Sequence, residues 1–286
     1  MCSLPSLFSR GTIAGGKEAF MQYIYETHMH TCQGSACSDT PGHEYIARYQ
    51  DMGYSGIIIT DHFYRGNCRV DRTLPWHAFI DQFCSGYEDA KNEGDKRGFP
   101  VFFGWEENIS GDEYLIYGLD KAFMLSHPEM PHWTRKQQYE IVHAAGGCVV
   151  QAHPFRARDY IHTIYLSPCF VDGIEAVNAA NVPQWNSMAL RYGEIMGFPM
   201  TAGSDNHHVK SMGKENLAGV AFDRPLTDIQ DYVQAILEKQ SIGMYLPDPV
   251  APWDESMKPD KPAVWLDAQE NDSGRDVMDI LRNGKV

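Results

Sequence analysis

Long apolar runs are missing from this sequence. No stretch of about 18 or more apolar residues occurs, which excludes an evident membrane-spanning helix. The first residues, Met1-Cys2-Ser3-Leu4-Pro5, lack the basic and apolar regions of a signal peptide. We therefore expect a soluble cytoplasmic protein without a membrane partner.

Closely spaced cysteine pairs are missing as well. The seven cysteines are an odd number and include no CxxC pair, which argues against a disulfide framework. With 286 residues and 43% hydrophobic content, the chain can bury a core of its own without covalent staples. Free thiols in a reducing compartment are the expected state.

The sequence also lacks the excess of basic residues that nucleic-acid binding needs. Lys and Arg number 24 against 38 Asp and Glu, which leaves a formal net charge of −14 at pH 7. That charge opposes binding to a long polyanion, and no stripe of aromatic and basic residues is present for stacking bases. We therefore expect a small substrate and no nucleic-acid partner.

Motifs for a side-chain nucleophile are absent. The chain has no G-x-S-x-G elbow, no cysteine followed six residues later by arginine, and no aspartyl-phosphate motif. If the protein is an enzyme, its nucleophile is therefore expected to be something other than a side chain.

Short apolar runs, each followed by an amphipathic stretch, indicate the fold class. Seven runs are typical of strands: 23–25, 57–59, 101–103, 114–117, 148–150, 171–177 and 198–200. Helices are predicted over 42–52, 76–96, 134–145, 186–196 and 227–239. This alternation predicts an α/β fold with a parallel sheet that closes into a barrel of the TIM type, although an open doubly wound sheet would give a similar pattern.

The two ends of the chain differ from its middle. Residues 1–22 are predicted to be an N-terminal extension, and residues 23–246 the barrel. Residues 247–262 hold five prolines, so we expect residues 247–286 to form a Pro-rich C-terminal extension that packs on the barrel.

Histidines and carboxylates follow directly after five of the seven predicted strands. They are His28, His30, His62, Glu106, His153, Asp205 and His207. Because the carboxyl ends of barrel strands meet at one rim, these side chains are expected to converge there. Imidazole and carboxylate together suit Mn²⁺, Zn²⁺ or Fe²⁺, and the number of groups exceeds what one ion uses. A hydroxide bridging two such ions would suit phosphoester hydrolysis.

In their order and spacing, these motifs resemble those of the PHP (polymerase and histidinol phosphatase) family. The matching segments are His28-x-His30, Thr60-Asp61-His62, Glu106, Ala152-His153-Pro154 and Gly203-Ser204-Asp205-Asn206-His207. The resemblance covers residues 25 to about 210. It implies a distorted seven-stranded (β/α) barrel, a site for two or three divalent ions, and metal-dependent phosphoesterase activity.

The resemblance also implies how the ligands divide among the ions. His28, His30, Glu106 and Asp205 would hold one ion, Glu106 and His153 a second, and His62 and His207 a third. Two positions depart from the family pattern. Ala36 occupies the place of a third-ion ligand, for which Gln33, Cys37 or Asp39 could substitute, and Tyr114 occupies that of a fourth-strand histidine. Two ions are therefore expected to be held firmly, with the third left open.

Residues around the predicted rim supply candidates for substrate binding. Arg156, Arg158 and Arg65 leave the rim on loops, where guanidinium groups can bind phosphate. Asp61 and His208 are the candidates for protonating the leaving group, and Glu175 could orient a ligand histidine.

The predicted substrate is a small phosphate ester. Within the family, the resemblance allows a sugar, nucleoside or histidinol phosphate, or a cyclic phosphodiester such as phosphoribosyl 1,2-cyclic phosphate. The alternative is a degenerate PHP domain that acts as a metal-stabilised structural or regulatory module. An amidohydrolase is disfavoured because no candidate ligand lysine follows the fourth strand.

Overall fold

The computed structural model describes residues 22–240, 242–246 and 248–284 of the chain. The strands in these ranges are β1 Tyr23–Glu26, β2 Gly56–Ile59, β3 Val101–Ile109, β4 Asp112–Tyr117, β5 Cys148–Gln151, β6 Ile164–Leu166, β7 Gly173–Asn178, β8 Met200–Gly203, β9 Gly219–Phe222, β10 Gly243–Tyr245 and β11 Ala263–Trp265. The α-helices are α1 Gly42–Asp51, α2 Trp76–Phe83, α3 Ser85–Arg97, α4 Lys121–Ser126, α5 Arg135–Ala144, α6 Pro183–Met196, α7 Ile229–Leu237 and α8 Val277–Asn283.

Nine strands form one mixed sheet that curls into a nearly closed barrel. Their order is β10-β9-β1-β2-β3-β4-β5-β7-β8. The ring closes beyond β1 and β8, where Met29 and Asn206 form a parallel bridge and the Asp205 amide donates to the His28 carbonyl at 2.8 Å. The predicted α/β barrel class is thus confirmed, whereas the predicted count of seven strands is wrong.

Two strands of the sheet run against the others. β4 is antiparallel to β3 and β5, and β9 is antiparallel to β1 and β10. Only Ser110 and Gly111 separate β3 from β4, whereas a parallel connection needs about a dozen residues or more. Both residues have positive φ, 60° and 103°, as a type I′ hairpin turn requires. The parallel direction expected for the fourth strand is therefore wrong, although its apolar run was located.

The five predicted helical regions are all helical, with one division. The stretch predicted as a single helix over 76–96 is α2 and α3, which meet at Cys84. Helices α4 and α8 were not predicted, because helices of six and seven residues have too few turns to show an apolar period. Within the described ranges, no helix has the length and apolar character needed to cross a lipid bilayer.

Residues 248–284 lie beside the barrel. β11 pairs in parallel with β6, and together they form a small separate sheet. Helix α8 contributes Val277, Ile280 and Leu281 to an apolar cluster that also contains Met188 and Tyr192 of α6. This part of the chain therefore buries apolar surface against an outer helix of the barrel.

Candidate metal centre

The chain leaving β1 carries two buried histidines. His28 and His30 are two residues apart in extended backbone, so their side chains point to the same side. Neighbouring backbone fixes this extension, because the Thr60 amide donates to the Met29 carbonyl and the His30 amide donates to the Asn206 carbonyl. Both imidazoles are fully buried.

The remaining members of the cluster belong to other strands. Glu106 lies within β3 and pairs with His62 in a parallel bridge, His153 follows β5, and Asp205 and His207 follow β8. His153 and Asp205 have positive φ, 29° and 54°, which non-glycine residues rarely adopt. Backbone strain of this kind is found at functional sites, where the surrounding structure enforces it.

The carboxylate of Glu106 lies at the centre of the cluster. Its Oε1 lies 3.2 Å from His28 Nε2 and 3.1 Å from His153 Nε2. Its Oε2 lies 2.6 Å from His62 Nδ1 and 3.7 Å from His30 Nε2. Each oxygen therefore faces two imidazoles, so this carboxylate could bridge two cations.

Asp205 is a second carboxylate that contacts the histidines of the cluster. Its Oδ1 lies 3.1 Å from His30 Nε2 and 3.6 Å from His28 Nε2. Its Oδ2 lies 2.7 Å from Nη1 of Arg156. The backbone carbonyl of Asp205 lies 2.9 Å from His207 Nδ1, which fixes that ring as well.

Several buried polar atoms in the cluster have no hydrogen-bond partner. They are His28 Nε2, His30 Nε2, His62 Nδ1 and Glu106 Oε2. In His28 and His30 the Nδ1 atoms already contact Glu175 and Ser35, at 2.9 and 3.0 Å. If Nδ1 carries the proton, Nε2 presents a lone pair to carboxylate oxygens, and leaving such acceptors buried together is costly unless a cation lies between them. The residues present therefore fit a cation.

Four overlapping groups of side chains each bring their ligand atoms within 4.8 Å of one another. These groups are His28, His30 and Glu106; His28, His153 and Asp205; His62, Glu106 and Glu113; and His30, His62 and His207. Imidazole and carboxylate in this proportion suggest divalent metal binding.

Neighbouring charges favour the ionised form of two carboxylates of the cluster, those of Glu106 and Asp205. Burial alone would raise the pKa of Glu106, but His28 and His62 lower it well below its usual range. Arg156 and His28 likewise overcome burial and hold the pKa of Asp205 well below its usual range. Ionised carboxylates are the form that binds cations.

Comparisons with known proteins identify a similar family model and similar solved structures. A family model described as PHP-associated matches residues 183–241. A crystal structure from Bacteroides vulgatus, of a two-domain protein containing a predicted PHP-like metal-dependent phosphoesterase, covers 84% of this chain and 69% of its own at 14% identity, with a TM-score of 0.59. These findings support a PHP family assignment. PsfC from Pseudomonas syringae covers 79% of this chain and 91% of its own at 15% identity, with a TM-score of 0.49. The search of curated proteins gives no match.

The structure brings together all seven residues that the PHP motifs nominated as metal ligands. Two of them, Asp205 and His207, fall inside the range matched by the PHP-associated model. The other five, His28, His30, His62, Glu106 and His153, precede this range in the sequence. Their proximity is observed, and their role as ligands stays a prediction.

One residue of the cluster, Glu113, was missed by the sequence analysis. Its Oε2 lies 3.5 Å from His153 Nε2, and its Oε1 lies 3.9 Å from His62 Nδ1. Tyr114 is the residue predicted at the fourth-strand histidine position, but its hydroxyl lies 2.7 Å from Ser167 Oγ and not in the cluster. The antiparallel direction of β4 explains the error, because it brings the beginning of that strand, not its end, to the rim.

Glu175 on β7 lies behind two histidines of the cluster. Its Oε1 contacts His28 Nδ1 at 2.9 Å, and its Oε2 accepts hydrogen bonds from the amide of His153 at 3.0 Å and from Asn178 at 2.9 Å. The side chain is fully buried. Glu175 is therefore placed to set the orientation of His28.

Asp61, predicted as a proton donor, lies behind His30. Its carboxylate accepts hydrogen bonds from the amide and hydroxyl of Thr31, each at 2.6 Å, and from the Ser35 hydroxyl at 2.7 Å. Burial raises its pKa to about 6 despite these bonds. Because Ser35 in turn contacts His30, this geometry favours a positioning role for Asp61 over proton transfer to a leaving group.

His208, the other predicted proton donor, lies at the surface. About half of its side chain is exposed, and its Nδ1 lies 2.9 Å from Asp39 Oδ1. It follows His207 directly, so it lies next to the cluster without pointing into the buried part. Its proposed role in proton transfer stays a prediction.

The three predicted phosphate-binding arginines have different environments. Arg156 is buried and bonds Asp205, Asn178 and Asn181. Arg65 contacts Glu107 Oε1 at 3.2 Å, whereas exposed Arg158 donates to the backbone carbonyl of Ala180. Of the three, Arg158 is the most open to solvent, and phosphate binding by any of them stays a prediction.

Proposed function

We propose that this protein is a metal-dependent phosphoesterase that hydrolyses a small-molecule phosphate ester. The observation that carries the proposal is the buried ring of imidazole nitrogens and carboxylate oxygens around Glu106, several of which have no hydrogen-bond partner. Divalent cations bound there would lower the pKa of a water toward ~7 and neutralise charge on the phosphoryl group. The ions proposed are Mn²⁺, Zn²⁺ or Fe²⁺.

The contacts support at least two cation positions. His28, His30, Glu106 and Asp205 would hold the first ion. The second would be held by Glu106 and His153 together with Glu113, whose carboxylate offers the ligand that Tyr114 cannot. His62 and His207 would belong to a third position.

The residues that contact the ligand side chains from behind fix the orientation of those side chains. Glu175 fixes His28, and the pair Asp61 and Ser35 fixes His30, so that each imidazole keeps its Nε2 toward the centre. Arg156 holds Asp205 through its Oδ2, leaving Oδ1 toward the histidines. Ligand side chains held in this way need little rearrangement when substrate arrives.

Two exposed residues would contact the substrate. Arg158 is exposed and keeps donors available for a phosphate oxygen, and His208 is exposed next to His207 for proton transfer to the leaving group. The net charge of −14 disfavours a long polyanion as ligand, which leaves a compact anion as the proposed substrate. We propose a sugar, nucleoside or histidinol phosphate, or a cyclic phosphodiester.

Replacing Glu106 by Gln tests the proposal. The amide keeps the shape of the side chain but removes the charge that faces four histidines, so hydrolysis should fall by about a hundredfold or more while the fold persists. Wild type and variant are stripped with chelator and reloaded with Mn²⁺. Their metal content is then measured, along with turnover of p-nitrophenyl phosphate, bis(p-nitrophenyl) phosphate and a panel of sugar phosphates.

Glu140→Gln is the matched control, because Glu140 is an exposed glutamate on α5. It should behave as wild type in both measurements. A wild-type protein that binds metal but hydrolyses none of the esters would overturn the proposal in favour of a metal-stabilised structural module. Full activity in Glu106→Gln would overturn the role of Glu106.

A further inference from the structure

A thiol lies beside the histidines of the third cation position. His30, His62 and His207 bring ligand atoms within 4.8 Å of one another, and the His30 ring centroid lies 4.3 Å from that of His62 and 4.2 Å from that of His207. The half-buried side chain of Cys37 makes side-chain hydrogen bonds with both His62 and His207. The thiol therefore lies where those two imidazoles meet.

The Nδ1 atom of each ring lies close to an oxygen atom. His62 Nδ1 lies 2.6 Å from Glu106 Oε2, and His207 Nδ1 lies 2.9 Å from the Asp205 carbonyl oxygen. A ligand histidine usually donates its second N–H to a carboxylate or a backbone carbonyl in this way. If Nδ1 carries the proton in each ring, Nε2 is the nitrogen that keeps a lone pair for a cation.

The backbone holds this part of the loop between β1 and α1 in place. The Ser38 hydroxyl donates to the carbonyls of His207 and His30 at 2.8 and 3.1 Å. On the other side of Cys37, the Ala36 amide donates to the Asn67 carbonyl at 2.8 Å. Position 37 is therefore anchored by both of its neighbours.

The other two candidates for a replacement ligand are engaged elsewhere. The Gln33 side chain donates to Asp89 at 2.9 Å and accepts from the Gly42 amide. The Asp39 carboxylate contacts His208 and Thr40 at 2.9 Å each. Of the three side chains that could compensate for Ala36, Cys37 is the one that contacts His62 and His207.

We propose that Cys37 binds a divalent cation together with His62 and His207, which makes this position selective for a thiophilic ion such as Zn²⁺ over Mn²⁺ or Mg²⁺. The inference rests on the proposed metal-dependent function. Binding exchanges the thiol proton for the cation, so a proton is released to solvent and no electrons are transferred.

Cobalt spectroscopy of the full chain tests this assignment without reference to activity. Co²⁺ bound by a thiolate gives a near-ultraviolet charge-transfer band that nitrogen and oxygen ligands do not give. Wild type and Cys32→Ser should show the band during Co²⁺ titration, and Cys37→Ser should lose it. Cys32 is the matched control, since it is a half-buried cysteine of the same loop whose thiol contacts Gln33.

Two further measurements guard against a misfolded variant. In competition with a chromophoric chelator, Cys37→Ser should bind its weakest Zn²⁺ about 10–100-fold less tightly than wild type. In the wild-type protein, Zn²⁺ should slow iodoacetamide labelling of Cys37 and not of Cys32, as read from peptide masses. An unchanged cobalt band in Cys37→Ser, or labelling of Cys37 that is indifferent to Zn²⁺, would overturn the inference.

The failure of this inference can be told apart from failure of the proposed function. A protein that binds cations and hydrolyses esters but gives no thiolate band contradicts only the role of Cys37. A protein that binds no divalent cation contradicts both.

Discussion

At the scale of single residues, the side chains behind the cluster decide what its histidines can do. Each of His28 and His30 has one ring nitrogen held by an oxygen, from Glu175 and from Ser35 respectively. The held nitrogen fixes the tautomer and leaves the other with a lone pair. Burial would lower the pKa of His28, but Glu175 and Asp205 raise it well above its usual range. Without a cation the ring therefore favours its protonated form, and a bound cation would take the place of the proton on Nε2.

Replacing Glu175 by Gln should weaken metal binding without removing a ligand. The amide can still contact His28, but its loss of charge lowers the basicity of the ring, and we expect the affinity for the tightest Mn²⁺ or Zn²⁺ to fall about 10–100-fold. Competition with a chelator measures this dissociation constant, and Glu194→Gln on the exposed side of α6 is the control. Equal affinities in Glu175→Gln and wild type would contradict the orienting role.

At the scale of elements, the sequence predicted the site better than it predicted the sheet. The seven ligand candidates could be found because each follows or ends an apolar run, and strand ends on one rim bring them together. Glu113 could not be found, because that logic assumes parallel strands and β4 is antiparallel. The turn at Ser110 and Gly111 was the available signal, since two residues cannot make a parallel crossover.

The close packing of α3 against its neighbours could not be predicted from the apolar pattern either. A Cβ on Gly86 would lie 2.0 Å from Thr31 Oγ1 and 3.1 Å from Asp61 Oδ2, so the first turn of α3 packs directly behind the Asp61 network. A Cβ on Gly42 of α1 would lie 2.3 Å from the Gly86 carbonyl oxygen. Such backbone contacts involve residues without side chains, and hydrophobic periodicity cannot report them.

Replacing Gly42 by Ala should therefore destabilise the protein. The added methyl group meets backbone that cannot rotate away, and overpacking of this kind costs about 1–3 kcal/mol. Urea denaturation measures the loss as a lower midpoint with an unchanged slope. Asn92→Ala, on an exposed position of α3, should be neutral or slightly stabilising, because alanine has the higher helix propensity. A stable Gly42→Ala variant would contradict the close contact between α1 and α3.

At the scale of the whole molecule, the C-terminal extension shares its apolar surface with the barrel. Trp265 on β11 is buried, and its ring lies 5.6 Å from that of Tyr192 on α6 in an edge-to-face arrangement. Trp265 also pairs with Leu166 of β6. A segment attached in this way is expected to unfold together with the barrel rather than as a unit of its own.

Replacing Trp265 by Ala tests whether this attachment is part of one cooperative structure. The cavity left by a buried tryptophan should cost about 3–5 kcal/mol of unfolding free energy. Urea unfolding followed by far-ultraviolet circular dichroism should show a single transition at lower denaturant. Trp253→Ala, in a partly buried residue of the same extension that stacks on Arg191, should cost less. If Trp265→Ala instead gives two separated transitions, with the major one at the wild-type midpoint, the extension is an independent unit and the barrel does not depend on it.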